Sequence, residues 1–258
     1  MLVIDLEKCK KEFFKYVSRY DLQKENIKRK ELHSLRVMEE SRKIAELLKL
    51  DKEKIELAEL IGLLHDIGRF EQYNKEEVYL NERLLDHADL GVEILKKDNY
   101  IKKYIDDEYY SNLIFKAIKN HNKLKIEEGL NEEELLFSKI IRDADKLDIF
   151  YEGVEIYWNK QIEKENVESS KISDKIEKQF IEKRPIQKFG NEKNDTVDGV
   201  LILLAYIYDI NFSETFRIIN KEDYINRILN RFDFKDEKTK EKIENLKKIL
   251  LMYINSKI

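Results

Sequence analysis

The stretch Leu64-His65-Asp66-Ile67-Gly68-Arg69-Phe70 sets a histidine and an aspartate side by side at the end of an amphipathic run. Over residues 54–66, Ile55, Ala58, Ile61, Gly62 and His65 recur three and four apart, which is one stripe of a helix. Asp51 is placed to cap the start of that helix, and Gly68, just past its end, is a helix-stop residue. Neighbours on a helix diverge by roughly 100°. His65 can therefore address one point while the Asp66 carboxylate reaches towards another.

Working outward, the same spacing recurs almost throughout. Residues 31–50 place Val37, Ile44 and Leu48 on one stripe with His33. Residues 90–97, 112–120 and 132–152 follow the same logic, the last with Asn131 as its cap. Residues 197–210 read as a buried helix and 213–220 as a short one. Residues 241–254 read as an amphipathic terminal helix through Ile243, Leu246, Leu250 and Tyr253. Seven glycines, one proline and 40% charged residues, heavily Glu and Lys, are a helical composition. No alternating apolar run suggests a sheet, and no repeat is visible. The expected fold is all-α, a compact multi-helix bundle with additional C-terminal helices. The expected organisation is a single domain over 1–258, with its core at 25–155 and helices of 196–258 packed on that core. Residues 159–195 are polar, an exposed helix or a mobile stretch that could serve as a lid, and Pro185 and residues 190–194 mark a loop.

The charge pattern excludes some classes of function. Against 53 acidic residues stand 49 basic ones, for a net charge of -4. The signs alternate and form no basic block, so no nucleic-acid polymer is expected as a partner. Cys9 is the only cysteine, which rules out a disulfide within one chain and favours a reducing cytoplasm. The longest apolar stretch, 197–210, is interrupted by Asp198 and Asp209 and is shorter than the roughly 20 residues of a spanning helix. The first residues acquire a charge at Asp5, too early for an apolar signal core. A cytoplasmic protein with no membrane partner is expected.

The histidines carry the chemistry. All four, His33, His65, His87 and His121, join Asp66 and Asp145 in a set that suits a divalent transition metal. Gly62, Gly91 and Ala117 lie one turn from Asp66, His87 and His121. Small residues there leave room for ions, or simply pack helices. Asp143 falls on the wrong helix face to replace Asp145. Asp148 shares that face and could orient a ligand. Asp86 reads as a cap and Asp89 as a solvated charge.

Taken together, the His65-Asp66 stretch, His33-Ser34-Leu35-Arg36-Val37, His87-Ala88-Asp89-Leu90-Gly91, Ile118-Lys119-Asn120-His121 and Arg142-Asp143-Ala144-Asp145-Lys146-Leu147-Asp148 resemble the HD-domain superfamily of metal-dependent phosphohydrolases. The match is to its dinuclear, six-ligand subset and covers residues 25–155. The resemblance implies two divalent transition-metal ions (Mn, Fe, Co, Ni or Zn). His33, His65, Asp66 and Asp145 would hold the first, Asp66 would bridge, and His87 with His121 would hold the second. In mononuclear members the last two positions serve acid/base or substrate roles. The implied activity is hydrolysis of a phosphomonoester or phosphodiester, a small nucleotide-like molecule, by a metal-bridging hydroxide.

Asp66 and Arg69 are the catalytic candidates. Lys30, Arg36, Lys123, Arg142 and Lys146 are candidates for holding phosphate, each with an ordinary ion-pairing alternative. The related cyclic-di-GMP phosphodiesterases have lysine where this chain has Arg69, and arginine is a poor proton donor. Their Gly-Tyr-Pro signature is absent, since the one proline, Pro185, follows Arg184. Tyr73, Tyr79, Tyr151, Tyr157 and Trp158 could stack on a base, although such residues are more often core. The same ligand types also suit a di-iron oxygenase or a catalytically silent metal-binding regulatory module. Nothing in the sequence fixes the substrate or the oligomeric state.

Overall fold

In a computed structural model the chain is all-α, with no strand among the described residues, which are 4–75, 86–186 and 195–258. It divides into two compact units, Met1–Asp145 and Lys146–Ile258.

The first unit opens with α1 (Leu6–Val17), whose cap is Asp5 and whose buried face is Cys9, Phe13, Tyr16 and Val17. The long α2 (Glu25–Leu47) packs along α3 (Lys52–Leu64), which Asp51 caps by accepting from the Lys54 N–H as its sequence suggests. Gly62 makes that packing close. A Cβ there would lie 2.7 Å from Ser41 Oγ and 2.8 Å from the Met38 Cα and the Val37 carbonyl oxygen. The helix stops at Leu64 with His65 as its C-cap, and a second helix, α4 (Ile67–Lys75), begins directly after Asp66. The His-Asp pair therefore sits in a break between two helices.

Gly68 does not stop a helix, contrary to its reading in the sequence; it is the second residue of α4. A Cβ on it would come 2.2 Å from the His87 carbonyl oxygen and 2.6 Å from the Gly91 nitrogen. Its missing side chain lets α5 (His87–Lys96) approach the Asp66 turn. Asp86 caps α5 by accepting from the Ala88 and Asp89 N–H groups. A 3₁₀ stretch, Lys97–Lys103, then leads to α6 (Glu108–Asn120), which ends at His121. At the start of α7 (Glu132–Glu155), Asn131 and Glu134 each accept from the other's backbone N–H, a reciprocal cap. The boundary between the units falls inside α7.

The second unit contains α8 (Gln161–Ser169), α9 (Asp174–Ile181), α10 (Val197–Leu204), α11 (Ser213–Lys221), α12 (Tyr224–Leu229) and α13 (Glu237–Asn255). Its core includes Val167, Ile176, Phe180, Val200, Ile207, Phe216, Ile228, Leu246 and Leu250. Of the sparse apolar residues of the polar segment, Val167 is buried on α8 and Ile176 and Phe180 on α9, whereas Ile162 on α8 is exposed. The expected loop at 190–194 and Tyr79 lie outside the described residues. The apolar run expected as one helix over 197–210 passes from α10 into a 3₁₀ turn, Ala205–Asp209. No helix among the described residues is long and apolar enough to cross a membrane.

Candidate metal centre

The six residues singled out in the sequence converge within the first unit. Their side chains come from the ends or inner faces of α2, α3, α5, α6 and α7, and all six are buried. Two ligand-capable sets meet at Asp66. One is His33, His65 and Asp66, and the other is Asp66, His87 and His121.

The two Asp66 oxygens face different partners. Oδ2 lies 3.4 Å from His33 Nε2 and 3.5 Å from His65 Nε2. Oδ1 lies 3.3 Å from His87 Nε2 and 3.7 Å from His121 Nε2. Asp145 joins the first set, its Oδ1 lying 3.3 Å from His33 Nε2 and 3.8 Å from His65 Nε2. Within each set the imidazoles meet through Nε2, His33 with His65 at 3.2 Å and His87 with His121 at 3.0 Å. Asp66 Oδ1 is buried and accepts no hydrogen bond among the described residues. A buried carboxylate oxygen without a donor is costly.

Backbone carbonyls orient two of the rings. His65 Nδ1 donates to the Gly62 carbonyl at 2.7 Å, and His121 Nδ1 donates to the Ile118 carbonyl at 2.6 Å. Each bond puts the proton on Nδ1 and leaves the Nε2 lone pair facing the cluster, which is how a histidine is prepared to bind metal.

Electrostatics favour the same protonation states. Burial pushes His65 down to about 3, assisted by His121 and His33 and opposed by Asp66 and Asp145. Burial also pushes His87 down to about 3, with His121 and Arg69 adding to it and Asp66 opposing. Burial works to raise the Asp66 carboxyl. The Lys30 ammonium and the surrounding imidazoles, His65 first, outweigh it and hold Asp66 well below the ordinary carboxylate range. Neutral imidazoles beside an ionised carboxylate are the donor chemistry a divalent transition metal needs. The orphaned Oδ1 gives a further reason to place a cation there.

The expected phosphate-holding residues, taken with the catalytic candidate Arg69, separate into three kinds. Lys30 and Arg69 are at the cluster. Lys30 Nζ lies 2.7 Å from Asp66 Oδ2, and Arg69 Nε lies 3.8 Å from Asp66 Oδ1 while its NH1 donates to Gln72 at 2.6 Å. Arg36, half-buried on α2, and Lys123, 3.3 Å from Glu127, lie farther along the same helices or their ends. Arg142 does not present itself to a phosphate. It is 2% exposed, and its NH1 donates at 2.6 Å to the carbonyls of Asn120 and Lys123. That guanidinium ties down the chain on both sides of His121. Lys146, in the second unit, is buried, pairs with Asp209 at 3.4 Å and lies under the Tyr206 ring.

Asn122 had no signal of its own in the sequence. Its Nδ2 donates to both Asp86 oxygens, at 2.9 and 3.0 Å, and lies 3.4 Å from His87 Nδ1. Its partners are 35 and 36 residues away, so no local pattern announces it.

Residues 32–149 match the HD domain family. That segment is an HD domain. No curated protein and no solved structure gives a significant match to the chain. HD domains bind divalent metals and typically belong to metal-dependent hydrolases, and the buried His/Asp groups here can hold metal. That combination points to metal-dependent phosphohydrolase-type activity in general. The matched segment contains all six ligand candidates, from His33 to Asp145.

Proposed function

We propose that this HD domain holds two divalent transition-metal ions and hydrolyses a small, nucleotide-like phosphomonoester or phosphodiester. His33, His65 and Asp145 would hold one ion, His87 and His121 the other, and Asp66 would contribute one oxygen to each. The observation that carries this reading is the division of Asp66, with Oδ2 turned to His33 and His65 and Oδ1 turned to His87 and His121.

When bound, such ions supply a hydroxide near neutral pH and neutralise charge on the phosphate oxygens. The protein's own residues hold and orient. The Gly62 and Ile118 carbonyls fix His65 and His121 with their Nε2 lone pairs inward. Lys30 and Arg69 flank Asp66 on opposite oxygens and put two cationic groups beside the place where a phosphate would sit. Arg69 stays protonated at physiological pH and would clamp rather than donate a proton. Arg36, half-buried on α2, and Lys123, beyond the end of α6, are further substrate contacts in the same proposal.

The test is metal analysis of purified protein together with a panel of phosphomonoesters and phosphodiesters. Two transition-metal ions per chain and phosphate-ester turnover abolished by a chelator are expected. Full turnover in the chelated protein, or metal content unaffected by loss of the histidines, would sink the proposal. An iron-dependent optical signal that changes with oxygen, with no ester turnover, would favour oxygenase chemistry instead.

A further inference from the structure

The two halves of the cluster are not held alike. His65 and His121 each have a backbone carbonyl on Nδ1, which accepts a proton. Among the described residues, the polar atom within reach of His87 Nδ1 is the amide nitrogen of Asn122, at 3.4 Å. The polarity there is reversed, because an amide nitrogen donates.

Asp86 decides which end of the Asn122 amide faces His87. Its carboxylate meets Asn122 Nδ2 at 2.9 and 3.0 Å. Turning the amide over would set its oxygen against that carboxylate, an acceptor against an acceptor. Asp86 is itself fixed, because it accepts from the Ala88 N–H at 2.8 Å and the Asp89 N–H at 3.4 Å at the start of α5.

A single arrangement of protons satisfies all these contacts. Asn122 donates to His87 Nδ1. The His87 proton then sits on Nε2 and points at His121 Nε2, 3.0 Å away. His121 accepts it, because its own proton is spent on Ile118. For His87 Nε2 to bind metal, that proton must move to Nδ1, and Asn122 must give up its contact there.

We infer that Asn122 is a positioning residue that keeps the His87 proton on Nε2 in the metal-free protein, so that the His87/His121 half takes its ion last and most weakly. The inference rests on the metal-centre reading proposed above. Charge acts in the same direction. Among the described residues, Asp66 and Asp145 both reach the His33/His65 half, and Asp66 reaches the His87/His121 half. His33 meets His65 Nε2 to Nε2 in the same way, and the Asn122 contact adds its cost at His87.

The tautomers are read directly by long-range ¹H–¹⁵N correlation spectra of the metal-free protein. With four histidines, each ring is assigned from one His→Gln variant. The expected result is Nε2–H for His87 and Nδ1–H for His65 and His121. A His87 ring carrying its proton on Nδ1 overturns the inference, whether or not metals bind.

Calorimetric metal titration, with Mn²⁺ or Zn²⁺ as the probe, supplies the second arm. Wild type should load in two steps. Asn122→Ala should tighten the second step by about tenfold, the low end of what partners of metal-bound histidines control, and leave the first unchanged. A second step that stays the same or weakens overturns the inference. If wild type binds no ion at this cluster, the metal-centre proposal itself fails, an outcome distinct from two ions binding with His87 already in the Nδ1–H form.

Discussion

The two halves of the cluster are built from different kinds of structure. His33 and Asp145 lie inside helices of 23 and 24 residues, and His65 caps the helix packed along α2. His87 begins a helix of 10 residues, and His121 follows the end of one of 13. A side chain in the middle of a long packed helix is held by many turns of backbone. One at a helix terminus depends on whatever fixes that terminus. In the second half this is done by Gly68 against α5, Asp86 as a cap, Asn122 between the two ends, and Arg142 on the carbonyls around His121. The lesson is that equal-looking ligand candidates can owe their positions to unequal support.

The largest test removes what the halves share. Asp66→Ala should lose both ions and drop turnover by about a thousandfold or more, since charge stabilisation by the ions is the main catalytic resource of such a site. Metal analysis and ester turnover read it, and near-normal turnover would remove Asp66 from the centre.

Two glycine substitutions should then separate the halves. In Gly68→Ala the new Cβ would meet backbone atoms of His87 and Gly91, which cannot swing aside. A cost of roughly 2–3 kcal/mol is expected in denaturant unfolding, with the His87/His121 ion lost preferentially. In Gly62→Ala the clash is with Met38, Val37 and Ser41 on α2, so the His33/His65 ion should suffer instead. Loss of the same ion in both variants would break the comparison.

Arg142→Ala is expected to cost about 2 kcal/mol, because a buried and a part-buried carbonyl lose a charged donor. It should also weaken the second ion about tenfold while sparing the first. An equal loss at both steps in a metal titration would assign Arg142 to general stability.

The mildest perturbation is a proton. In chelated protein, the buried His65 and His87 titrate near 3, below the ordinary value of 6.5. Between those values the unfolded chain binds protons that the folded one refuses, so stability should fall as pH drops from about 6.5 towards about 3. Asp66 acts in the same direction, because its folded pKa is depressed and its contribution is lost only as acid protonates it. Denaturation midpoints across that range should decline with pH, and more shallowly in a variant that lacks both histidines.

Much of the site was legible before any coordinates. His33, His65, Asp66, His87, His121 and Asp145 could be picked out because histidine and carboxylate chemistry is written in residue type, and the sequence contains no other histidines. The caps at Asp51, Asp86 and Asn131 were legible because a cap bonds two or three residues away. Helix α1 was not anticipated, and neither was α12. Gly68 was misread as a stop because its reason for being glycine is the backbone of α5, across space. Arg142 looked like a phosphate ligand because its charge is visible in sequence, while the two carbonyls that occupy it are not.

Residue chemistry and local periodicity therefore determined the helices, the family resemblance and the six buried ligand candidates, since all of these depend on side-chain type and short-range spacing. The tertiary structure alone decided that Asp66 divides its oxygens between two sets, that Lys30 and Arg69 reach it from either side, and that Asn122 faces His87. Those facts depend on directions and distances between segments far apart in the chain, and such geometry exists only once the helices have packed.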